Sequence, residues 1–576
     1  MIVYLINISF LFALYSAKDT FKENLIISNF QDAISFHFDF QTTTSDLTSN
    51  DYHLFPKSIN EIIRQYSVSE MHLSLAKGFW NTEKWGISPI SLPSESAELW
   101  AWFEPIEKEI QWNHLSHALS GLFCTSLNKL SDQKEVISPK FSFNPEGLTN
   151  KNRNDTLVRR SVLSGEAVCT ENLTPWIKLL PCKKLAGLAQ LLKPSRLFSS
   201  HFTSITVGVR KICLTDDCAI IGRLIHQTIT LVLDRKIFGN FQNTWSLNEL
   251  LNTESTIEFC SLAESSRIFV HGFGPSFNLK LKPTESLNPN NLAYYDLKTF
   301  KKISNKIDLQ LSGHWPVEDI NNLSKNCPIQ FTKFATGTGK VRGGIRTTIK
   351  SQSDKTIRVV YLESLPWYFH FLFSSLVLKV NSNVTNPQKI HYIPSLTRGR
   401  MTHLELVIDV PALSTVTIEY EFRKLLQNWN EFPPDANHEF YIGASSLSFR
   451  YPTSTNKFQN SLFDILKQTK ILGSYNEAES QIIRLYSEVV LVTLPTPDFS
   501  MPFNALCLAC TVLAIMIGGL HKYTTSSVHG VDPKLEGLKG KIVLGIRSIQ
   551  KFWKKNKVQE KTEASEEKSE IKPHEE

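Results

Sequence analysis

The stretch that determines the organisation of this chain is residues 503–523, which read FNALCLACTVLAIMIGGLHKY. This run carries no charged residue before Lys522. An α-helix rises about 1.5 Å per residue, so about 20 residues cross a hydrocarbon core that is about 30 Å thick. The sequence therefore predicts one transmembrane helix at residues 501–523, with a long body before it and a short tail, residues 524–576, after it.

The two ends of the chain predict the orientation of this helix. Residues 2–14 are apolar and are followed by Tyr-Ser-Ala, which is typical of a secretory signal peptide at residues 1–17. The tail after residue 523 is rich in lysine, and basic residues close to a span favour the cytoplasm. We therefore expect a single-pass type I protein whose large body is luminal or extracellular.

The body between the two ends is large enough for two domains. The net charge of +7 over 576 residues is modest, so the composition does not indicate a nucleic-acid-binding protein. Residues 275–305 are rich in Asn, Pro and Lys and provide a candidate domain boundary. We predict a first domain at residues 18–285 and a second at residues 286–500.

Alternation of apolar and polar residues predicts mainly strands in both domains. AISFHFDF (33–40) and HLELVIDV (403–410) show the period of two, whereas residues 107–125 and 172–193 have a helical period. The second helix is predicted to begin at Thr174 and Pro175. The expected fold class is mainly β with some helices: two luminal β-sandwich-like domains plus one C-terminal transmembrane helix. Glycine-rich residues 336–344 fit a connection between strands better than a phosphate-binding loop.

The cysteines indicate that at least one thiol outside the membrane has no partner within the chain. Nine cysteines are present, and two of them, Cys507 and Cys510, lie in the apolar run. Seven remain for an oxidising compartment, and because this number is odd, at least one is free or bonded to another chain. Cys213 and Cys218 are close enough for a local disulfide. The other pairings stay open from the sequence, and the remaining cysteines are Cys124, Cys169, Cys182, Cys260 and Cys327.

Four sequons mark candidate N-glycosylation sites on the same side of the membrane as the body. The acceptor residues are Asn154, Asn172, Asn322 and Asn383.

Two patterns near the C-terminus predict contacts of helices. Cys510, Ala514 and Gly518 form a stripe of small residues along the span, which lets a neighbouring helix approach closely. In the cytoplasmic tail, an amphipathic segment suited to a membrane surface places apolar residues on one helical face, namely Ile542, Ile546, Ile549 and Trp553.

No catalytic motif stands out, and we predict no catalytic residue, no metal site and no cofactor. The sequence lacks G-x-S-x-G and H-E-x-x-H, and its C-x-x-C lies within the apolar run. Two other functions stay open. A stand-alone type I membrane glycoprotein could act in lectin or adhesion roles through a tryptophan cluster, and a luminal hydrolase could use a distant Cys–His pair. The cluster, which a hydrophobic core explains equally well, consists of Trp80, Trp85, Trp100 and Trp102.

Strings spread over the body and the span resemble the PIG-T family of subunits of the glycosylphosphatidylinositol (GPI) transamidase complex. They occur in the order of the family, and only the signal peptide, residues 275–330 and the tail lack a match. The matching strings are YHLFPK (52–57), HLSLAKGFW (72–80), AELWAWF (97–103), VCTENLTPWIKLLPC (168–182), ESLPWYFHF (363–371), PPDANHEFYI (433–442) and LPTPDFSMPFNALCLACTV (494–512).

This resemblance implies a role in the endoplasmic reticulum membrane. In the family's complex, a caspase-like PIG-K subunit carries the Cys–His chemistry that replaces a C-terminal signal with a GPI anchor. The family's subunit is a non-catalytic scaffold for this partner and for other multispan subunits, and it meets the GPI lipid and the proprotein only indirectly. The family's disulfide to the catalytic subunit corresponds to Cys169 here, and the family glycan corresponds best to Asn154.

Overall fold

The computed structural model of the chain describes the residues of most of the body and of the two C-terminal helices. The described residues are 19–30, 32–45, 53–88, 91–104, 108–131, 133–148, 158–215, 217–238, 244–254, 256–271, 285–287, 292–299, 306–314, 327–337, 339–432, 435, 438–450, 482–496, 498, 500–526 and 538–566. The predicted signal peptide, Asn154 and Asn322 lie outside these residues. The chain divides into two compact units, Met1–Pro497 and Asp498–Glu576.

Strands are the commonest regular element among the described residues of the first unit. In chain order they are β1 (Thr20–Asn29), β2 (Ala33–Thr44), β3 (Val68–Lys77), β4 (Ser96–Phe103), β5 (Val136–Ile137), β6 (Val158–Leu163), β7 (Phe202–Cys213), β8 (Ile221–Asp234), β9 (Thr244–Ser246), β10 (Thr256–Glu258), β11 (Ser265–His271), β12 (Glu285–Leu287), β13 (Leu292–Asp296), β14 (Lys306–Asp308), β15 (Ser312–His314), β16 (Ile329–Thr336), β17 (Arg342–Ser351), β18 (Ile357–Leu365), β19 (Phe369–Val380), β20 (Asn383–Thr385), β21 (Lys389–Ile393), β22 (Thr402–Val410), β23 (Thr415–Lys424), β24 (Phe440–Ile442), β25 (Ser446–Arg450), β26 (Ile482–Tyr486) and β27 (Val490–Val492).

Helices are concentrated in the first half of the body and at the C-terminus. They are α1 (Lys57–Gln65), α2 (Thr82–Trp85), α3 (Lys108–Phe123), α4 (Thr170–Lys178), α5 (Pro194–Phe198), α6 (Arg235–Phe238), α7 (Leu247–Leu251), α8 (Ser500–Thr525) and α9 (Leu538–Glu566). Short 3-10 helices occur at Leu127–Ser131, Gln133–Glu135, Leu188–Leu191 and Trp429–Glu431. The predicted fold class, mainly β with some helices, is confirmed.

The first half of the body is built on one eleven-stranded sheet. Its strand order is β12-β13-β11-β1-β2-β8-β7-β3-β4-β6-β5, and every pair is antiparallel except β1 with β11. Because successive strand residues face opposite sides, Ile34, Phe36, Phe38 and Phe40 of β2 all enter one core. Helices α1, α3, α4, α5 and α7 close that core. The second layer is thus helical rather than a second sheet, because the apolar side chains with helical spacing cover the sheet.

The second half of the body is a two-sheet sandwich. One sheet has the order β16-β17-β23-β19-β20 and the other β21-β22-β18-β25-β26. Inward residues of both sheets form one buried cluster, which includes Ile349, Tyr361, Leu406 and Ile418. Residues 336–344 lie at the connection from β16 to β17, which pair as an antiparallel hairpin, so the predicted strand connection is confirmed.

Buried polar groups join the two halves of the body. The carboxylate of Glu405 on β22 accepts hydrogen bonds from the backbone N–H groups of Lys140, Phe141 and Ser142 at 2.7–3.1 Å. The hydroxyl of Tyr486 on β26 donates to Glu98 on β4 at 2.8 Å. These bonds fix the sandwich against the long sheet, since both carboxylates are buried.

In the second unit, α8 is the helix that is long and apolar enough to cross a membrane among the described residues. It spans Ser500–Thr525 and contains the run predicted to be a transmembrane helix. At about 1.5 Å per residue, its 26 residues extend about 39 Å, which exceeds the hydrocarbon thickness of a bilayer. The chain therefore fits a single-pass membrane protein.

A buried carboxyl in the first core makes stability depend on pH. Glu23 on β1 is 1% exposed, and it accepts hydrogen bonds from Ser266 Oγ at 2.6 Å and from the Leu188 N–H at 3.0 Å. Burial raises the pKa of Glu23 from 4.5 to about 7, although these two bonds oppose the increase. The folded state thus holds a proton that the unfolded state releases above about pH 4.5, and stability falls as pH rises through 7.

We expect Glu23→Gln to remove this pH dependence. The difference in unfolding free energy between wild type and variant should change by on the order of 3 kcal/mol between pH 4.5 and pH 9. Urea unfolding of the full chain in detergent at a series of pH values measures it. Glu264→Gln is the matched control, because its carboxylate is 57% exposed beside Lys22. Equal pH slopes for wild type and Glu23→Gln would contradict the prediction.

Candidate functional site

Helix α4 is held firmly against the long sheet, and it carries the cysteine that the sequence singles out. Trp176 is fully buried, and its indole N–H donates to the carbonyl of Thr206 on β7 at 2.8 Å. The side chain of Gln227 on β8 donates to the carbonyl of Trp176 at 3.0 Å. Two central strands of the sheet thus fix the position of the helix.

The helix begins earlier than the sequence predicts. The predicted start at Thr174 and Pro175 is wrong, because Cys169 is the N-cap and Pro175 lies inside the helix. The side-chain oxygen of Asn172 accepts a hydrogen bond from the Cys169 N–H at 2.9 Å, which satisfies a donor that the start of a helix leaves free. The sequence signal for this start is the three-residue spacing of Cys169 and Asn172.

Asn172 also joins this N-terminus to the end of α3. Its side-chain nitrogen donates to the carbonyls of Phe123 and Cys124 at 3.0 and 3.1 Å. Cys124 has a positive φ of 52°, the left-handed conformation in which helices commonly end. One carboxamide therefore contacts the backbone of two cysteines, Cys124 and Cys169. Nothing in the spacing of these residues along the sequence indicates that they are neighbours.

The seven cysteines outside the span fall into three groups. Disulfides join Cys182 to Cys260 and Cys213 to Cys218. Cys327 is fully buried, its thiol donates to the carbonyl of Ile329 at 2.8 Å, and burial raises its pKa to about 12. The free cysteines that reach the surface in this part of the chain are Cys124, which is exposed, and Cys169, which is half-buried. Among the described cysteines outside the span, these two are therefore the unpaired ones that another protein can reach.

The described sequons differ in accessibility. Asn172 is 2% exposed and its amide nitrogen already donates to two carbonyls, so a glycan there would disrupt the start of α4. The burial of Asn172 in the folded protein therefore argues against glycosylation at this sequon. Asn383 begins the exposed strand β20, so its side chain is accessible, and glycosylation there stays a prediction.

The tryptophan cluster lies mainly in the interior. Trp80, Trp85 and Trp100 are 4–8% exposed, and Trp80 packs edge-to-face on Trp85 with ring centroids 5.1 Å apart. His72 stacks on Trp100 at 3.9 Å. Trp102 is half-buried and donates its indole N–H to the carbonyl of Phe143. These rings build core contacts rather than an open platform for a sugar.

Among the described residues, Glu70, His72 and Glu146 bring possible metal ligands within 4.8 Å of one another. The oxygens of Glu70, however, already accept bonds from His72 and from the backbone N–H groups of Glu146 and Gly147 at 2.8–2.9 Å. Burial would raise the pKa of Glu146, but His72, Arg210 and Arg484 together hold it below its usual value. The carboxylates are thus already balanced by positive side chains. Because Arg210 and Arg484 lie beside Glu146, their charges disfavour the binding of a metal ion here.

The stripe of small residues lies on one face of α8. Cys510, Ala514 and Gly518 are all exposed in the single chain, and a Cβ added to Gly518 would meet no atom within 4 Å. The helix therefore leaves this face open. Contact with a neighbouring helix stays a prediction.

Comparison with known proteins gives a consistent result over almost the whole chain. The model of the Gpi16 subunit family, described as a GPI transamidase component, matches residues 5–240 and 235–548. The mouse and human proteins named "GPI-anchor transamidase component PIGT" are 34% and 33% identical over 558 residues, covering 92% of this chain and 94% of theirs. The budding yeast protein named "GPI transamidase component GPI16" is 27% identical, covering 82% of this chain and 80% of its own length.

The family match spans both halves of the body and the span, and it includes α4 with Cys169. The identity to the mouse relative extends over nearly the full length of both proteins. This chain belongs to the Gpi16 subunit family of GPI transamidase components.

Proposed function

We propose that the chain is a non-catalytic scaffold subunit of the GPI transamidase complex in the membrane of the endoplasmic reticulum. Its body lies in the lumen, α8 crosses the membrane once, and the tail with α9 is cytoplasmic. The scaffold holds a caspase-like catalytic subunit for the attachment of GPI anchors to proteins. The accessible thiol of Cys169 at the rigid start of α4 is the observation that carries this proposal.

The proposed tether is a disulfide from Cys169 to the catalytic subunit. A covalent link converts docking of the two bodies into an intramolecular event, so weak surface contacts suffice to keep them in register. The anchoring of α4 by Trp176 limits the movement of the tether. The benefit for catalysis is positioning, because a nucleophile near the membrane must meet an amine near the membrane.

We expect Cys169→Ser to abolish the covalent partner. Non-reducing gel electrophoresis of the tagged full chain should show a heavier band for wild type that collapses on reduction and is absent in the variant. Mass spectrometry of the band should identify the caspase-like subunit. Cys124→Ser is the matched control, since it removes the neighbouring accessible thiol and should keep the band. A band that persists in Cys169→Ser would refute the assignment of the tether.

The proposal further assigns the small-residue face of α8 to contacts with multispan subunits, which bring the GPI lipid and the proprotein near the scaffold. We expect Ala514→Leu or Gly518→Leu to lower co-purification of these subunits several-fold, because a bulky side chain separates closely packed helices. Ala505→Leu adds the same bulk to Ala on the opposite face, and it should leave recovery unchanged. Equal recovery from all three variants would contradict the packing.

The observations favour this function over a lectin or adhesion role. The tryptophans on which a sugar platform would depend are mostly buried in core contacts. A stand-alone receptor would also leave the body without a stable partner. Export of the full chain beyond the endoplasmic reticulum, with no subunit co-purifying, would favour that alternative.

A further inference from the structure

Helix α9 leaves an apolar face uncovered. Its side chains at this face are 51–70% exposed: Ile542, Ile546, Ile549, Phe552 and Trp553. At about 100° per residue, they occupy an arc of about 120° on the helix. Such a continuous face requires a partner, since burial of apolar surface is the main favourable term in association.

Outside the apolar arc, the charged side chains of the first half of the helix are basic, beside the exposed Val543 and Leu544. Residues 541–554 contain four basic residues, Lys541, Arg547, Lys551 and Lys554, and no Asp or Glu. All four lie outside the apolar arc and are exposed. A helix with an apolar face between basic side chains is complementary to a bilayer with negatively charged headgroups, because the apolar face enters between the lipids and the cations stay at their phosphates.

The chain keeps this helix close to the span. Helix α8 ends at Thr525 and α9 begins at Leu538, so residues 526–537 connect them. Twelve residues reach at most about 43 Å when fully extended. If α8 crosses the membrane as proposed, α9 stays within this distance of the bilayer, where its local concentration at the surface is high.

We propose that α9 binds the surface of an anionic membrane leaflet through its apolar face. The inference rests on the proposed membrane span of α8, and it adds a lipid-binding site outside the luminal body. Bound in this way, α9 anchors the cytoplasmic end of α8 at the level of the headgroups.

Hydrogen–deuterium exchange of the full chain in lipid nanodiscs tests this inference. One set of discs contains phosphatidylcholine only, and the other contains phosphatidylcholine with phosphatidylserine. We expect amides of residues 541–554 to exchange about tenfold more slowly in the anionic discs, and this difference to shrink at high salt. Equal exchange in both sets of discs would overturn the proposal.

Two double variants that each replace two exposed aliphatic side chains with serine separate the apolar face from general hydrophobicity. Ile546→Ser with Ile549→Ser should remove the protection, whereas Val543→Ser with Leu544→Ser, which lie off the arc, should retain it. An equal loss of protection in both variants would overturn the proposal. It would show that the protection depends on the overall stability of the helix and not on its apolar face.

The remaining outcomes distinguish failure of the lipid site from failure of the proposed span of α8 or of the scaffold function. The amides of α9 could instead be protected only when other subunits are present, whatever the lipid composition. That result would show that the apolar face binds a protein, and it would overturn the proposal. A chain that fails to enter the discs would refute the span of α8, and with it the lipid site. We expect loss of the tether at Cys169 to leave the exchange of amides 541–554 unchanged. Failure of the scaffold proposal is therefore detected separately, by non-reducing gel electrophoresis.

Discussion

Replacing Lys333 with alanine is expected to lower the free energy of unfolding by about 3–5 kcal/mol. The ammonium of Lys333 is fully buried in the sandwich, and it lies 3.2 Å from the carboxylate of Glu363. It also donates to the carbonyl of Gly443 at 2.7 Å and to Ser445 Oγ at 3.0 Å. Its loss would leave Glu363 as a buried charge without a cation.

The environment of Glu363 explains why this charge persists in a β core. Three hydroxyls donate to one of its oxygens at 2.7–2.9 Å, from Tyr361, Tyr420 and Ser445. Burial lowers the pKa of Lys333, while Glu363 opposes this decrease. Burial and the adjacent carboxylate raise the pKa values of both tyrosines, which keeps their hydroxyls as donors.

The measurement is urea unfolding of the full chain in detergent, followed by tryptophan fluorescence. Lys379→Ala is the matched control, because this lysine pairs with Glu419 at a partly exposed site of the same sandwich and should cost about 1 kcal/mol or less. The double variant Lys333→Met with Glu363→Gln removes both charges and should recover part of the loss. A Lys333→Ala variant as stable as Lys379→Ala would contradict the prediction.

Replacing Glu405 with alanine is expected to loosen the junction of the two halves of the body. Its carboxylate accepts three backbone N–H bonds from residues 140–142 and a fourth bond from Ser142 Oγ at 2.5 Å. Hydrogen bonds to a charged group contribute about 1.5–3 kcal/mol each, and they are not additive. We therefore expect a loss of about 3–5 kcal/mol in unfolding free energy.

Hydrogen exchange provides a local readout of this change. Amides of residues 140–142 should exchange faster in Glu405→Ala, because their acceptor is lost, and Glu405→Gln should have a smaller effect. Asp409→Ala is the control on the same strand, since its partner Arg358 is 65% exposed and the pair contributes little. Unchanged exchange at residues 140–142 would show that the carboxylate does not hold the junction.

Much of this structure follows from local patterns in the sequence. The strands β2 and β22 follow from alternating apolar residues, and α8 follows from a run of apolar residues long enough for a bilayer. The hairpin after β16 follows from glycines that favour a turn. Each of these features depends on residues that are close in sequence, so a period or a length is sufficient to predict it.

Other features depend on residues that are far apart in sequence. The odd number of cysteines outside the span indicates that at least one thiol is free or bonded elsewhere. Only the fold, however, places Cys182 beside Cys260, 78 residues away, and buries Cys327. Likewise, the sequon at Asn172 is visible in the sequence, whereas packing turns its amide towards Phe123 and Cys124. Local patterns along the chain were sufficient to predict the mainly β class, the single candidate span and the presence of at least one unpaired thiol. The tertiary structure alone decided which thiols reach the surface and which charges are buried, because contacts between distant segments set burial and hydrogen bonding.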